Sequence, residues 1–180
     1  MTGSDEFVVL LDEHGSAVGS ALKAEVHTTQ TPLHLAFSCH VTDRDGRLLV
    51  TRRALSKRAW PGVWTNSFCG HPAPGESMEH AVRRRGRFEL GVELEELTLV
   101  LPEFRYRAVD ASGIVENEVC PVYRAVIDAD LSPDPSEVME WMWVDESDFA
   151  RTVASAPFAF SPWLALQLPA LATVSPAPTQ

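Results

Sequence analysis

The stretch Asn66-Ser67-Phe68-Cys69-Gly70-His71-Pro72 places a thiol and an imidazole two residues apart across a glycine. If positions 68 to 71 are extended, Cys69 and His71 point to the same face, because side chains on a strand alternate with a period of two. A proton carrier then lies beside a candidate metal ligand. A free cysteine is also a common small core residue, so these two residues alone favour a buried thiol beside a loop histidine.

A helical pattern follows this stretch, from Ser77 to Leu90. Its apolar stripe begins with Met78, Ala81 and Val82. At helical spacing the same stripe continues through Arg85 and Glu89. Charges on a core-facing stripe are costly unless they are partnered or face a wet pocket. We therefore expect one face of this helix to be half core and half site, and Gly91 to end the helix.

Strand patterns are predicted on both sides of this segment. Phe7–Leu11 and Ala17–Leu22 flank a turn-forming stretch, which predicts an N-terminal β-hairpin. Asp45-Gly46 predicts a second hairpin, because Asp-Gly tolerates the positive φ angles of tight turns. Positions 114 to 127 predict a long extended segment that is interrupted at Pro121, which we place at an edge or a bulge.

The C-terminal part of the chain predicts two helices and a tail. Asp145 is a good N-cap for a helix over Glu146–Val153. Ser161-Pro162-Trp163 is a good helix start, with proline at the first helical position. Beyond Pro169 the chain is small, apolar and proline-rich, so we expect a poorly ordered tail over about 170–180.

Length and composition indicate one globular domain over 1–180. The net charge of −10 argues against a general affinity for nucleic acid or for anionic membranes. Two local clusters are nevertheless basic, and such islands suit a small, multiply charged anion. They comprise Arg52, Arg53, Lys57 and Arg58, and Arg83, Arg84, Arg85 and Arg87. The alternative for each cluster is a solvated charged face.

The sequence also predicts a cytoplasmic protein. Its first six residues lack the features of a signal peptide, and no apolar run reaches the roughly 18 residues of a membrane helix. The odd number of cysteines has no disulfide-like spacing, so we expect reduced thiols at Cys39, Cys69 and Cys120. We expect a monomer or a weak dimer.

Imidazoles and carboxylates supply the candidate metal ligands, which are His27, His34, His71, Glu116 and Glu118. On a strand Glu116 and Glu118 would share one face, which is unusual for like charges unless a cation lies between them. The mixed nitrogen and oxygen set suits Zn, Mn or Fe(II), whereas an all-oxygen site around Glu89 suits Mg. Taken singly, each residue also fits a capping histidine or a surface glutamate.

Six blocks, in order along the chain, resemble the type 1 isopentenyl-diphosphate Δ-isomerase family of the Nudix superfamily. The blocks are His34-Leu-Ala-Phe, Leu49-Val-Thr-Arg-Arg-Ala-Leu-Ser-Lys57, Trp60-Pro-Gly-Val-Trp-Thr-Asn66, Cys69-Gly-His71, Phe104-Arg-Tyr-Arg107 and Ser112-Gly-Ile-Val-Glu-Asn-Glu-Val-Cys-Pro121. The resemblance covers Phe7 to Leu168. It implies an α/β (α+β) fold, a Nudix-like α/β/α sandwich with a mixed sheet and an added N-terminal β-hairpin.

The Nudix hydrolase signature aligns with this chain only in part. Its matching positions are Gly70, Glu76, Arg84, Glu89, Gly91 and Val92. Arg85 and Phe88 stand where the signature has glutamates, and Gly86 where it has an aliphatic residue. The missing acids favour isomerisation over the alternative, a Nudix hydrolase acting on a nucleoside or prenyl diphosphate. A non-enzymatic alternative is a binding module in which the metal cluster is structural.

The resemblance implies that isopentenyl diphosphate is converted to dimethylallyl diphosphate, in isoprenoid biosynthesis, through a tertiary carbocation. Cys69 and Glu118 would be proton carriers on opposite faces of the alkene, and Tyr106 would assist. Trp163 would face the cation. A thiol of ordinary pKa, about 8.5, exchanges protons within the working range.

The resemblance also implies two metals and a diphosphate site. One Mn²⁺ or Zn²⁺ would lie among the three histidines, Glu116 and Glu118. Mg²⁺ would be held with the diphosphate through Glu89. Positive charge for the diphosphate would come from Lys23, Arg53, Lys57 and Arg85.

Overall fold

The computed structural model describes residues 6–174. Its strands are β1 Phe7–Leu11, β2 Ala17–Leu22, β3 His34–Leu35, β4 Phe37–Thr42, β5 Leu48–Arg53, β6 Trp64–Thr65, β7 Phe68–Gly70, β8 Leu97–Leu101, β9 Arg105–Val109, β10 Val115–Val119, β11 Val122–Val126 and β12 Val138–Val144. Its helices are α1 Lys23–Val26, α2 Met78–Leu90, α3 Glu146–Ser155 and α4 Pro162–Thr173, with a 3-10 turn at Pro157–Ala159. Within this range no helix is both long and apolar enough to cross a membrane.

The strands form two mixed sheets. The first has the order β2-β1-β3-β10-β9, and its β1–β2 pair is the predicted N-terminal hairpin. The second has the order β12-β5-β4-β11-β8, with β6 beside β5 and β7 beside β4. The β3–β10 and β4–β11 pairs are parallel, whereas the remaining strand pairs are antiparallel. This mixed arrangement confirms the predicted α+β class.

Two chain segments pass from one sheet into the other. The segment predicted as one long extended run divides into β10 and β11, with Pro121 between them. Alongside it, β3 and β4 are separated by Ala36. The hydrogen-bond ladder continues through the junction, because the Ala36 amide donates to the Val119 carbonyl (2.9 Å) and the Ser38 amide donates to the Pro121 carbonyl (3.1 Å). Pro121 therefore lies at a change of sheet, where its lack of an N–H does not break the ladder.

Helices cover the second sheet on both faces. On one face α2 contributes Ala81, Val82 and Leu90 to a core that includes Phe37 and other buried side chains of the sheet. On the other face α3 and α4 contribute a second core, through Phe149, Val153, Trp163, Leu164 and Leu168. The predicted α/β/α sandwich is thus confirmed for this sheet.

The ordered chain continues past the predicted start of the tail. Helix α4 runs through Thr173 with Pro169 inside it, so the prediction of poor order from about residue 170 is wrong for its first positions. Leu171 is only 5% exposed. Burial of such an apolar side chain contributes about 1.5–3 kcal/mol, which helps offset the backbone hydrogen bond that Pro169 removes. Positions 175–180 of the predicted tail lie outside the described residues.

Both ends of α2 follow the sequence prediction. The Ser77 hydroxyl accepts a hydrogen bond from the His80 amide, as an N-cap does. Gly91 ends the helix with a φ of 70°, in the left-handed region that favours glycine. A Cβ atom at Gly91 would lie 2.7 Å from the Ser132 carbonyl oxygen. The position therefore excludes a side chain for two separate reasons.

We expect Gly91→Ala to lower the free energy of unfolding by about 2–4 kcal/mol, which combines left-handed strain with steric overlap. Gly46→Ala is the matched control, because Gly46 also has a positive φ, of 79°, but has no atom within 4 Å of the added Cβ. Its loss should be only about 1–2 kcal/mol, from strain alone. Denaturant unfolding measures both variants. Equal losses would show that the overlap with Ser132 is relieved without cost.

Candidate active site

A cleft of about 640 Å³ brings most of the predicted site residues together. The predicted residues that line it are Lys23, His27, Arg53, Lys57, Cys69, His71, Arg85, Tyr106, Glu116, Glu118 and Trp163. His34 and Glu89 are not part of this lining, but each contacts a residue that is, through the pairs His34–Glu118 and Arg85–Glu89. Cys69 and His71 both line the cleft, as the alternation of an extended strand requires.

Three imidazoles and one carboxylate converge at the inner end of this site. One possible ligand atom from each of His27, His34, His71 and Glu118 lies within 4.8 Å of all the others. The ring centroids of the histidines are 5.1 to 5.7 Å apart. They come from different elements, since His27 follows α1, His34 lies in β3 and His71 follows β7.

The hydrogen bonds of the histidines leave nitrogen atoms free for a ligand. His34 Nδ1 lies 3.0 Å from the Pro32 carbonyl and can only donate to it, so the neutral ring presents the lone pair of Nε2 to the cluster. The Nε2 atoms of His27 and His34 are buried and find no hydrogen-bond partner among residues 6–174. Unpaired buried polar atoms are costly, and a divalent cation would satisfy them. The donor set therefore fits a metal of the Zn or Mn type.

Glu116 and Glu118, both on strand β10, point toward this cluster. Glu118 Oε1 lies 3.2 Å from His71 Nε2 and 3.5 Å from His34 Nε2. Glu116 Oε2 lies 3.1 Å from His27 Nε2. The two acidic side chains thus face one group of histidines, although Glu116 does not belong to the tightly convergent set of four.

Burial and neighbouring charges shift the pKa values of the cluster's glutamates and of His71 in different directions. Burial acts to raise the pKa of Glu118, but its close contacts with the imidazoles of His34 and His71 hold it well below its usual value. The pKa of Glu116 is raised by burial and by the Glu118 charge. Burial lowers the pKa of His71 to about 3 in spite of its contact with Glu118. A neutral His71 and an ionised Glu118 are the forms in which these groups bind metals.

The Cys69 thiol lies in a polar notch beside the cleft. Its Sγ is 3.3 Å from Ser38 Oγ and donates to Asn66 Oδ1, also at 3.3 Å. Burial raises the pKa of Cys69 to about 12. The expectation of an ordinary thiol pKa is therefore wrong, because the thiolate would lose its hydration in this position. At neutral pH the group is a protonated thiol.

Two aromatic side chains, Tyr106 and Trp163, also line the cleft. The Trp163 ring centroid lies 5.7 Å from that of Tyr106 and 5.5 Å from that of Trp60. The guanidinium carbon of Arg53 lies 5.3 Å from the Trp163 centroid. A cation within this distance of an indole face is attracted by the ring quadrupole. Trp163 is thus a core residue, 2% exposed, whose ring also contacts the Arg53 guanidinium.

The charged pair predicted on the α2 stripe is partnered. Arg85 Nε donates to Glu89 Oε1 at 2.9 Å, and both residues are buried. Gly70 provides the space for the arginine, because a Cβ there would lie 2.8 Å from Arg85 Cγ and 2.8 Å from Phe37 Cζ. Phe88, at a position where the hydrolase signature has glutamate, has its ring centroid 5.0 Å from the Arg85 guanidinium carbon.

Two further carboxylates, which the sequence did not single out, form ion pairs with three of the four predicted diphosphate-binding cations. Glu137 forms an ion pair with Lys57 and lies 3.4 Å from Arg85 Nη2. Glu6 accepts from Lys23 Nζ at 2.6 Å and lies 3.7 Å from Arg85 Nη1. Neither glutamate belongs to a motif. Their role as partners of the cleft cations is seen only from their position in the folded structure.

Comparisons with known proteins agree with this architecture. Residues 32–164 match the NUDIX domain. A crystal structure of a protein from Deinococcus radiodurans has a TM-score of 0.71 at 22% identity, covering 92% of this chain and 99% of that one. A MutT NUDIX hydrolase from Burkholderia pseudomallei has a TM-score of 0.59 at 25% identity, covering 76% of this chain and 96% of that one. These similarities confirm the Nudix fold.

Curated relatives are much more similar in sequence. The isopentenyl-diphosphate Delta-isomerase of Clavibacter michiganensis subsp. michiganensis is 63% identical over 92% of this chain and 86% of its own length. The protein of the same name from Kocuria rhizophila is 64% identical over 91% of both chains. That from Citrobacter koseri is 58% identical over 93% of this chain and 91% of its own. The chain therefore belongs to the isopentenyl-diphosphate Delta-isomerase family of NUDIX-domain proteins.

Proposed function

We propose that this protein converts isopentenyl diphosphate to dimethylallyl diphosphate by moving a proton onto the terminal methylene carbon and another off C2. The observation that carries this proposal is that the Cys69 thiol, the Glu118 carboxylate and the Trp163 ring all line one cleft. Two proton carriers and a cation-binding face are what this transposition requires. High identity to isopentenyl-diphosphate Delta-isomerases over most of the chain supports the same reaction.

Cys69 and Glu118 divide the proton transfers between them. One delivers a proton to the methylene carbon and the other removes a proton from C2, so the double bond moves and the formula is unchanged. The resting protein holds one carrier protonated and one ionised, since the pKa of Cys69 is raised and that of Glu118 is lowered. Tyr106, whose ring centroid lies 5.7 Å from that of Trp163 and which lines the same cleft, would assist Glu118.

Trp163 stabilises the positive charge that develops at C3 between the two transfers. A tertiary carbocation needs a neighbour that is electron-rich but does not bond to it. The indole face meets this need, and a desolvated cation–π contact contributes about 2 kcal/mol or more. The position of Arg53 over the same ring supports this role, because it indicates that the ring accepts a cation.

Lys23, Arg53, Lys57 and Arg85 bind the diphosphate. Arginine suits such a group because its planar fork donates two hydrogen bonds to phosphate oxygens. Glu6 and Glu137 pair with Lys23, Lys57 and Arg85 beside the cleft. These pairs keep the three cations close together at the place where the diphosphate would bind.

Two metal sites complete the proposal. His27, His34, His71, Glu116 and Glu118 would hold one Mn²⁺ or Zn²⁺, which would fix the Glu118 carboxylate and tune its acidity. Glu89 would hold Mg²⁺ together with the diphosphate. A cytoplasmic location and a monomeric or weakly dimeric state stay predictions from the sequence.

The purified protein, supplied with Mg²⁺ in deuterated water, is expected to form dimethylallyl diphosphate and to incorporate deuterium into the allylic product. Mass spectrometry of the prenyl diphosphates measures both, and elemental analysis of the same sample identifies the bound metals. Inorganic phosphate or pyrophosphate release without the isomer would instead support the hydrolase alternative. Metal binding without any turnover would support a binding module.

A further inference from the structure

One side chain that has no assigned role lies directly between the thiol and the indole. Asn66 follows β6, precedes β7 and is 0% exposed. Its Nδ2 donates to the Cys39 carbonyl (3.0 Å) and to the Phe68 carbonyl (2.8 Å). Only the amide nitrogen can donate to these carbonyls, so the amide has one orientation and its oxygen points toward the cleft residues.

That oxygen accepts three hydrogen bonds. Trp163 Nε1 donates to Asn66 Oδ1 at 2.9 Å, and the Cys69 thiol donates to the same atom at 3.3 Å. The third donor is the Thr65 hydroxyl, at 2.9 Å. An indole N–H is a donor only, which independently requires oxygen at this position.

We propose that Asn66 is a positioning residue whose single amide oxygen holds the Cys69 thiol and the Trp163 indole in a fixed relation to each other. This inference rests on the proposed function, in which one of these groups transfers a proton and the other faces the cation. Both groups must then contact the same five-carbon unit while the substrate is bound in one orientation. A shared acceptor couples the two positions, because the oxygen cannot move toward one donor without leaving the other.

Ser38 does not provide the same constraint. Its hydroxyl lies 3.3 Å from Cys69 Sγ and 3.4 Å from Cys120 Sγ, and its one proton can be donated to only one of these sulfur atoms at a time. Its oxygen already accepts from Gln167 Nε2 at 2.8 Å. Ser38 contacts the sulfur of Cys69, whereas Asn66 sets the direction of the S–H bond.

The test compares Asn66→Ala with Asn66→Asp. Both variants lose the amide donors to Cys39 and Phe68, but the aspartate keeps an oxygen where the thiol and the indole need it. We expect kcat to fall about 100-fold in Asn66→Ala, as for a reacting group displaced by about 1 Å, with KM changed less than about 3-fold. Asn66→Asp should retain at least about ten times more kcat than Asn66→Ala. If kcat instead follows the free energy of unfolding in both variants, the role is structural and the proposal is wrong.

Thr65→Val is the matched control, because the Thr65 hydroxyl donates to the same oxygen but contacts neither the thiol nor the indole. It should lower stability and leave kcat within about 3-fold of that of the original protein. A kcat loss in Thr65→Val as large as that in Asn66→Ala would overturn the proposal. It would show that removing any hydrogen bond to Asn66 Oδ1 lowers kcat equally, whether or not the donor is the thiol or the indole.

A spectroscopic measurement tests the contact without relying on turnover, and its first comparison needs no Asn66 variant. The infrared difference between the unmodified protein and Cys69→Ala isolates the S–H stretch of Cys69. We expect the lowered frequency of a donating thiol, and a shift toward the free value in Asn66→Ala. A free-thiol frequency in the unmodified protein would overturn the inference. Since this band does not depend on activity, failure here is distinguishable from failure of the isomerase proposal.

Discussion

Cys69→Ala is expected to reduce the isomerisation rate by at least about 10²–10⁴-fold, the range for loss of a general acid or base, while metal content is unchanged. The sulfur donates to Asn66 and contacts Ser38, and it is not among the convergent ligand atoms of the cluster. Removing it therefore removes a proton carrier without removing a metal ligand. Steady-state rates and elemental analysis of one preparation measure both quantities.

Cys39→Ala is the matched control for this substitution. Cys39 is also a free, buried thiol on the second sheet, but it belongs to the core on the α2 side and does not line the cleft. We expect a modest loss of stability, of about 1 kcal/mol for the lost packing, with activity close to that of the unmodified protein. Full activity in Cys69→Ala would restore the interpretation of Cys69 as a plain core thiol.

Local patterns predicted the elements that frame this site. The N-terminal hairpin and the boundaries of α2 follow from alternation, capping and glycine placement, which act over a few residues. The convergence of the histidines with Glu118 was predicted from resemblance, and their proximity agrees with it. Spacing alone did not predict it, because these residues lie on separate elements and only the parallel pairing of β3 with β10 aligns His34 with Glu118.

Other features depend on packing that no local pattern encodes. Asn66 and Trp163 are 97 positions apart in the chain, yet they share a hydrogen bond. Glu137 lies at the end of a proline-containing loop and becomes a partner of Lys57 only after folding. The raised pKa of Cys69 depends on the water that folding removes from the notch. Reasoning from residue types could identify Cys69 as a candidate proton carrier, but it could not predict the protonation state of the thiol.

Glu118→Gln is expected to lower activity by about 10³-fold or more and to weaken metal binding by at least about 10–100-fold. Glutamine keeps the shape of the side chain but cannot accept a proton at neutral pH, and its oxygen is a weaker metal ligand than a carboxylate. Glu118 contacts two imidazoles of the cluster, at 3.2 Å and 3.5 Å. One substitution thus affects proton transfer and metal binding together. Chelator competition measures the affinity, and product formation measures the rate.

Glu116→Gln is the matched control, two positions away on the same face of β10. Its carboxylate contacts only His27 among the histidines of the cluster, and it lies outside the tightly convergent set. We therefore expect Glu116→Gln to weaken metal binding while retaining more activity than Glu118→Gln once metal is supplied in excess. Excess metal compensates for the weaker metal affinity that follows the loss of a ligand, but it cannot compensate for the loss of a proton carrier. If the two variants lost the same activity and excess metal restored it equally in both, Glu118 would act only as a metal ligand. The second proton carrier would then be another residue of the cleft.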